Sequence, residues 1–474
     1  MRRIAVALGL VLALVGYAVL DVYDVVPGVL TLAPAPDPVS PAATATPTTP
    51  PVGAPRPAAS GMPLPTAGAE EPVPSTAGLT ASLAAPLAGS RLGGAVAVAI
   101  RDAATGAHLF DLRADEARTP ASVLKLLSAA AVDATFPPGA TLTTKVVQGS
   151  APDQVVLVAG GDTLLGPSAG DPGVVAGRAG LGDLVAATVS ALRARGVAKV
   201  SVGLDLGYAP GPLTAPTWSP AFQPNGITGA VAALGLVTER ATPGRPGPAD
   251  PAASVAGAFV AGLKAQGVNA TLSKGVSAQP GAALLASVTS APVADQLALA
   301  LDESDNALTE SLTRQAAFLK GAPPGFAQSA AFVRRTLSDL GIDLSGVTTV
   351  DASGLSRENA VPARVLADVL ALGTNLVVPG MRETVRRLPV AGLSGTLAAR
   401  FDLGGSHEAA GLARAKTGTL TGVSTVAGTV VTADGRLLTF TVLANGVPPG
   451  AGTLAARDAL DQFVAALAGC GCRA

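Results

Sequence analysis

The chain has 474 residues, a formal net charge of −1 and only 14% charged residues. Because it contains no block of clustered Lys and Arg, a surface that follows the phosphates of a nucleic acid is excluded. Its two histidines, His108 and His407, lie far apart, and neither has a second ligand at metal-like spacing. We therefore expect neither a metal nor another cofactor.

The N-terminal segment predicts export from the cytoplasm. Arg2 and Arg3 precede an uncharged run at residues 4–20, whose helix would span about 25 Å, the lower limit for crossing a bilayer. Small residues near the end of this run also fit a cleavable signal, so residues 1–32 are interpreted as a signal peptide or a signal anchor. In both cases the rest of the chain lies outside the cytoplasm, in the cell envelope, and only this segment contacts the membrane.

The next segment, residues 33–78, is predicted to be an extended linker. Between residues 33 and 74 it holds 13 prolines among Ala, Thr and Ser, a composition that buries too little apolar surface to fold. The prolines favour the extended polyproline II conformation. The linker would hold a folded body, which begins near Leu79, away from the membrane.

The two ends of the folded region are predicted to meet in one sheet. Residues 94–101 and 108–112 alternate as a hairpin. Near the C-terminus, residues 412–420, 424–432 and 437–443 alternate in the same way, and an apolar helix follows them. Because short strands at both ends need burial, we expect one five-stranded antiparallel sheet covered by helices, an α+β fold.

Residues 136–245 have a different pattern. Three strand-like runs surround one helix in this stretch: 141–147, 155–159 and 199–206, with the helix at 184–195. The pattern predicts a small inserted α/β domain. The insertion divides the main domain into residues 79–135 and 246–474.

A serine and a lysine mark the start of one apolar helix. Residues 119–125 read TPASVLK, and the helix that they begin continues through the nearly all-apolar residues 126–133. Ser122 and Lys125 are three residues apart and share a helix face, so Oγ and Nζ can meet. Burying a charged lysine is energetically unfavourable, so a buried lysine indicates a function. Free N–H groups in the first helical turn favour a developing oxyanion at Ser122. We interpret Ser122 as a nucleophile and Lys125 as its base, with a capping serine beside a solvent-reaching lysine as the alternative.

Two further motifs follow in chain order. Residues 304–306 read SDN in a break between two apolar helices, and residues 416–419 read KTGT within a predicted strand, where Gly418 lets another backbone approach closely. Each motif alone is weak, because a lone SDN is usually a helix cap. All three together, in this order and in these elements, are typical of active-site serine enzymes that handle penicillin.

Further segments narrow the family. These segments are LVAGGD at 157–162, DASGLSR at 351–357, LPVAG at 388–392, GTL at 395–397 and AKTGTL at 415–420. With them, residues 79 to about 447 resemble the class C low-molecular-mass penicillin-binding proteins, the D-Ala-D-Ala carboxypeptidase/endopeptidase family. The resemblance implies a penicillin-binding, β-lactamase-like transpeptidase fold with a helical subdomain, in which 79–135 and 246–474 form the catalytic domain. It also implies a peptidoglycan stem peptide ending in D-Ala-D-Ala as substrate and β-lactams as covalent inhibitors.

The resemblance implies a role for each motif residue. Ser122 forms an acyl-enzyme and Lys125 is the base. By the same resemblance, Ser304 relays a proton, and Asn306 binds Lys125 and the peptide. Lys416 supplies positive potential, and Thr417 and Thr419, on either side of Gly418, bind the terminal carboxylate. The backbone N–H groups of Ser122 and Thr419 form the oxyanion hole.

Asp205 is a further candidate in the inserted domain. In the resembled family, an acidic residue within an Asp-x-Ser motif at this place binds the free amine of a diaminopimelic residue. Here Asp205 is followed by Leu206 and Gly207, so the serine of the motif is absent. A strand-end aspartate that caps a turn is the alternative.

Two other functions and one structural question stay open at this stage. A β-lactamase of the same serine type is disfavoured, because none of the Glu residues after residue 306 has an Asn four residues later. A catalytically idle wall-binding protein on the same fold is disfavoured by the complete motif set. Cys470 and Cys472 either close a small disulfide or lie in a disordered tail.

Overall fold

A computed structural model describes residues 70–472, apart from 376, 403 and 449–451. The predicted signal segment, 1–32, and the predicted linker as far as residue 69 lie outside the described residues. The α-helices are α1 (Thr76–Ala88), α2 (Lys125–Asp133), α3 (Leu181–Ala194), α4 (Pro251–Ala265), α5 (Val293–Asp302), α6 (Asn306–Leu319), α7 (Phe326–Asp339), α8 (Ala363–Thr374), α9 (Pro379–Arg386) and α10 (Gly452–Ala468). The strands are β1 (Ala95–Asp102), β2 (His108–Leu112), β3 (Thr143–Gln148), β4 (Gln154–Val158), β5 (Lys199–Asp205), β6 (Asn269–Leu272), β7 (Leu284–Thr289), β8 (Ala413–Leu420), β9 (Val423–Val431) and β10 (Leu437–Asn445).

The first sheet joins the two ends of the folded region. Its strand order is β2-β1-β10-β9-β8, and every neighbouring pair is antiparallel. A tight turn between β9 and β10 places Gly435 at φ 83°, the left-handed region that glycine enters without strain. The predicted five-stranded antiparallel sheet is confirmed. It leaves β8, the strand that carries the KTGT motif, at an edge.

Side-chain alternation along β1 explains why both faces of this sheet are covered. Val96, Val98 and Ile100 face the apolar layer that contains α1 and α10, whereas Ala97 and Ala99 face the layer that contains α2 and α8. Because the side chains of a strand alternate between the two faces, one apolar strand supplies both layers. The sheet is therefore a buried wall between two groups of helices.

The second sheet has the strand order β6-β5-β4-β3-β7. The β4–β5 and β5–β6 pairs are parallel and are connected through α3 and α4, whereas β3 pairs antiparallel with both β4 and β7. Parallel neighbours need such a crossover, which a helix supplies. The predicted inserted α/β unit exists, but its predicted end at residue 245 is wrong, because the same sheet continues to Thr289. Its last two strands were missed, since both are short and partly exposed.

The remaining helices form a layer around α2. Every residue from Lys125 to Val132 is buried, and α5, α6, α7, α8 and α9 surround this helix. The SDN motif occupies the break between α5 and α6, as predicted. Within the described residues, no single helix is long and apolar enough to cross a membrane, and only the bent pair α8 and α9 passes that test jointly.

The described C-terminus packs against the first helix. Cys470 and Cys472 are joined by a disulfide, and the carbonyl of Cys472 accepts a hydrogen bond from Ser75 N at 2.9 Å. The hydroxyl of Ser75 in turn accepts from Gly78 N and caps α1, so the fold begins slightly before the predicted Leu79. Of the two alternatives for the cysteines, the structure has the disulfide.

Candidate active site

Ser122 lies in a strained turn that leads into α2. A 3₁₀ turn, Ala121–Leu124, precedes the α-helix, so Ser122 is not in the first α-helical turn that we expected. Ala121 has a φ of 50°, which costs about 1–2 kcal/mol for a residue with a Cβ. The hydroxyl of Thr425 on β9 donates to the carbonyl of Pro120 at 2.8 Å and fixes this turn to the sheet. The turn exposes part of Ser122 to solvent and keeps the residues around it buried.

Lys125 is fully buried beneath the serine. Its Nζ lies 2.9 Å from Ser122 Oγ, 2.6 Å from Asn306 Oδ1 and 2.7 Å from the carbonyl oxygen of Ser353. Hydrogen bonds to these three acceptors fix the position of the amine. The structure thus joins the first two motifs through one nitrogen atom.

The buried site changes the acidity of this amine. Burial lowers the pKa of Lys125 to about 8, against the opposing effect of the carboxylates of Asp351, Glu310 and Asp305. Near neutral pH, roughly one tenth of such an amine is unprotonated, compared with a few parts in ten thousand for an ordinary lysine. Lys125 is therefore able to accept a proton from Ser122.

The SDN loop is fixed by contacts from the segment before α4. Asp305 caps α6 by accepting from Leu308 N at 2.9 Å, and Arg240 Nη2 donates to its other oxygen at 2.7 Å. Asn306 Nδ2 donates to the carbonyl of Ile227 at 2.7 Å, which directs Oδ1 toward Lys125. Ser304 has a φ of 58°, a strained conformation that these contacts hold in place.

The KTGT strand passes directly behind Ser122. A Cβ at Gly418 would lie 2.9 Å from both Ser122 N and the carbonyl oxygen of Pro120, closer than real Cβ contacts. Only glycine allows β8 to approach the serine turn this closely. Lys416 is fully buried, and its Nζ donates to the carbonyl of Thr417 at 2.9 Å.

Charge at Lys416 is less favourable than the sequence suggested. Burial and the neighbouring Lys125 lower the pKa of Lys416 well below its usual range, and Asp302 opposes this effect. Two buried amines near one another disfavour simultaneous protonation. The positive potential that we expected from Lys416 is therefore reduced when both side chains are free of substrate.

Residues from three motifs line one cleft of about 870 Å³. The members of the predicted site on its wall are Ser122, Ser304, Asn306, Thr417 and Thr419. The Thr417 hydroxyl donates to Thr396 Oγ1 at 2.9 Å. The serine and threonine residues and Asn306 therefore line the same cleft, as the combination of the three motifs predicted.

Asp205 lies apart from this group. Its Oδ1 accepts from Gly207 N at 2.8 Å and its Oδ2 accepts from Ala278 N at 2.7 Å, and it does not line the cleft. Both oxygens serve backbone N–H groups, which is the geometry of the strand-end cap that the sequence left open. Contact between Asp205 and substrate remains a prediction without support from this geometry.

Sequence reasoning missed the acceptor at Ser353 and the carboxylate that holds it. Glu310 Oε1 accepts from Ala352 N at 2.9 Å and from Ser353 N at 2.8 Å. Glu310 follows Asn306 by four residues on α6, so both side chains lie on the face toward Lys125. This spacing places Asn306 and Glu310 on one helix face, but nothing in the sequence indicates that this face meets the segment at 351–354.

The chain also matches a family model. The model of the D-Ala-D-Ala carboxypeptidase 3 (S13) family matches residues 79–248 and 245–467. The chain belongs to this family. The family predicted from the motifs is confirmed, and the matched residues include both sheets and all three motifs.

Individual members and solved structures agree with the family assignment. The carboxypeptidase DacB of Mycolicibacterium smegmatis is 37% identical over 411 residues, which cover 85% of this chain and 86% of the relative. The crystal structure of penicillin binding protein 4 from Haemophilus influenzae superposes with a TM-score of 0.64 at 20% identity, over 82% of this chain and 97% of that one. The same protein in complex with a β-lactam gives a TM-score of 0.59 at 21% identity over the same shares. These structures confirm the penicillin-binding fold class.

Proposed function

We propose that the protein is a serine-type D-Ala-D-Ala carboxypeptidase that trims peptidoglycan stem peptides through an acyl-enzyme on Ser122. The observation that carries the proposal is the 2.9 Å contact between Ser122 Oγ and the Nζ of Lys125, a buried amine whose pKa burial lowers to about 8. A hydroxyl beside an amine of this kind is an activated nucleophile. Membership of the S13 family supports the same substrate class.

The acylation step follows from the contacts of these two residues. Lys125 takes the proton of Ser122 Oγ while the oxygen attacks the carbonyl carbon between the two D-alanines. The backbone N–H groups of Ser122 and Thr419 donate to the oxyanion, and rigid donors of this kind contribute much of the rate in acyl transfer. The C–N bond then breaks, and the terminal D-alanine leaves with a proton relayed through Ser304. Water then attacks the acyl carbon, the ester bond to Ser122 Oγ breaks, the shortened peptide leaves with a new terminal carboxylate, and Oγ regains a proton.

β-Lactams are expected to enter the same pathway. Their strained amide presents a carbonyl carbon to Ser122 in place of the peptide bond, and the adduct persists because deacylation is slow. The β-lactam complex of the H. influenzae protein, which shares the fold, supports this expectation. The wall substrate also requires that the folded body lie outside the cytoplasm, whether residues 1–32 anchor the chain or are removed.

Ser122→Ala tests the proposal. Wild-type protein should release D-alanine from a D-Ala-D-Ala peptide and should be labelled covalently by a fluorescent penicillin, and the variant should do neither while it keeps the wild-type circular dichroism spectrum. Ser338→Ala, at an exposed serine of α7, is the matched control and should behave as wild type. Labelling of Ser122→Ala at the wild-type rate would contradict the assignment. Rapid turnover of a cephalosporin would favour the β-lactamase alternative, and a wild-type protein inert to both compounds would favour the idle one.

A further inference from the structure

Three arginines line the catalytic cleft, and two of them have carboxylate partners. Arg240 forms ion pairs with Glu303 and Asp305. Arg400 uses Nε and Nη2 to bind both oxygens of Asp461 on α10. The charges of these two arginines are therefore compensated within the protein, and neither needs a ligand.

The third arginine, Arg457, differs from the other two. It lies on α10, is partly buried and faces the same cleft, yet its guanidinium donates to no acceptor within the described part of the chain. Its backbone carbonyl accepts from Arg400 Nη2 at 3.1 Å, so the two cations are neighbours. Burial and Arg400 lower the pKa of Arg457, and the carboxylate of Asp461, which already binds Arg400, opposes this effect. An anion bound in the cleft would stabilise the positive charge of Arg457, because a partly buried charge is stabilised mainly by a group of opposite charge.

Arg457 shares the lining of the cleft with residues of the KTGT strand. Thr417 donates to Thr396, which belongs to the short 3₁₀ turn Gly395–Leu397 just before Arg400. Thr396, Arg400 and Thr417 line the cleft together with Arg457. Along β8, Ala413 and Ala415 pack into the apolar layer beneath α10, so Thr417 lies on the α10 face of the strand. Threonine hydroxyls and a guanidinium that forms no hydrogen bond within the described residues therefore line the same cleft.

Lys416 does not supply the cation that this region needs. Its Nζ is buried and already donates to a backbone carbonyl, and the carboxylate of Asp302 lies close enough to interact with its charge. Threonine hydroxyls are neutral donors, and a carboxylate is bound more strongly by a planar guanidinium, which can donate two parallel hydrogen bonds. Arg457 is the side chain that fits this task.

We infer that Arg457 binds the C-terminal carboxylate of the stem peptide and makes the enzyme selective for peptides with a free C-terminus. The inference rests on the proposed carboxypeptidase function and adds a specificity residue to it. Arg457 touches the substrate away from the bond that breaks. Its loss should therefore weaken the handling of carboxylate-bearing substrates without removing the chemistry at Ser122.

Two substrates that differ only at the C-terminus test this inference. One peptide ends in D-Ala-D-Ala with a free carboxylate, and the other ends in D-alaninamide. The proteins to compare are the wild type, Arg457→Gln, Arg457→Lys and the control Arg386→Gln, which changes an exposed arginine of α9. The measurements are kcat/KM on both peptides, the rate of covalent labelling by a fluorescent penicillin, and the melting temperature.

The expected result is a selective loss. For Arg457→Gln, kcat/KM on the free acid should fall by about 10- to 100-fold, the factor that corresponds to one charge-assisted hydrogen bond, while the amide should change by less than about twofold. Arg457→Lys should keep part of the activity because it keeps the charge, and Arg386→Gln should match wild type. Equal losses on both peptides, or no loss on the acid, would overturn the inference and leave the carboxypeptidase function intact. A wild-type protein that cleaves neither peptide and takes no penicillin label would overturn the proposed function and this inference with it.

Discussion

The backbone carbonyl of Ser353 lies 2.7 Å from Lys125 Nζ, although 228 residues separate the two in the chain. The N–H groups of Ala352 and Ser353 both donate to Glu310, so a buried carboxyl group holds in place the segment whose carbonyl contacts Lys125. Glu310 touches neither Ser122 nor the cleft, and it acts as a positioning residue. The site thus depends on a second group of residues behind the three motifs.

Two substitutions at Glu310 distinguish the effect of the hydrogen bonds that it accepts from the effect of its charge. Burial, followed by the neighbouring Asp351, raises the pKa of Glu310 to about 8, and the hydrogen bonds from Ser353 and Ala352 oppose this effect. Glu310→Gln keeps an acceptor oxygen for both N–H groups and should retain most of the penicillin acylation rate at pH 7. Glu310→Ala leaves two buried N–H groups without a partner, which costs about 1–3 kcal/mol each, and should reduce acylation by at least tenfold.

The pH profile distinguishes positioning from a general loss of stability. The Glu310 carboxylate raises the pKa of Lys125, so its removal in Glu310→Gln should move the midpoint of the acylation profile to lower pH. Glu383→Gln, an exposed site on α9, is the control and should leave the midpoint unchanged. An unchanged midpoint in Glu310→Gln, or equal activity in both Glu310 variants, would contradict the positioning role.

Acylation itself should depend on pH through Lys125. The free amine is the reactive form, and burial lowers its pKa to about 8. The rate should therefore rise about tenfold per unit below pH 8 and level off above it. Rapid-mixing measurements with a fluorescent penicillin between about pH 5 and pH 10 give this profile.

Lys125→Arg provides the complementary measurement. Arginine keeps the positive charge but cannot release its proton near neutral pH, so the acylation rate should fall by at least about 100-fold at every pH. Arg386→Lys, at an exposed site, controls for the exchange of one cation for the other. If Lys125→Arg kept most of its rate, or if the wild-type profile were flat around pH 8, another base would have to serve Ser122.

The sequence predicted the parts of this site that depend on local geometry. Ser122 and Lys125 meet because residues three apart share a helical face. The KTGT motif was placed in a strand because the residues around it alternate in polarity, as side chains on the two faces of a strand do. The contact between Glu310 and the 351–354 segment depends on how α6 packs on α2, which no local pattern encodes. The left-handed φ of Ala121 was not predictable either, since alanine rarely adopts it and the sheet behind the turn imposes it.

Asp205→Asn decides between a substrate contact and a strand-end cap. The two hydrogen bonds from Gly207 N and Ala278 N favour the cap. In that case the variant should lose at most about 1 kcal/mol of stability, because an amide keeps only one acceptor oxygen, and should cleave all peptides equally. If the side chain instead pairs with a diaminopimelic amine, kcat/KM should fall by roughly threefold to a few hundredfold on an amine-bearing stem peptide only. Diacetyl-lysyl-D-Ala-D-Ala, which lacks the free amine, is the matched substrate.

Gly418→Ala tests how closely β8 must approach the nucleophile. The added Cβ would collide with Thr425 Oγ1 and would lie 2.9 Å from both Ser122 N and the carbonyl oxygen of Pro120. A side chain can rotate away, but the two backbone atoms move only if the strained turn at Ser122 moves with them. Overpacking of this kind costs about 1–3 kcal/mol, so we expect a lower melting temperature and an acylation rate reduced by about 10- to 100-fold.

A second glycine and a double variant sharpen this prediction. Gly257→Ala, in the interior of α4 where a Cβ meets nothing within 4 Å, should keep full activity and should stabilise the protein by up to about 1 kcal/mol. Combining Gly418→Ala with Thr425→Ala removes the Thr425 hydroxyl that the added Cβ would meet. The backbone atoms of Pro120 and Ser122 that it would also meet stay in place. Because we propose the displaced Ser122 N as one of the two oxyanion donors, the double variant should stay impaired in acylation. Full recovery in the double variant would show that the Thr425 hydroxyl, and not the approach of β8 to Ser122, is what requires glycine at this position.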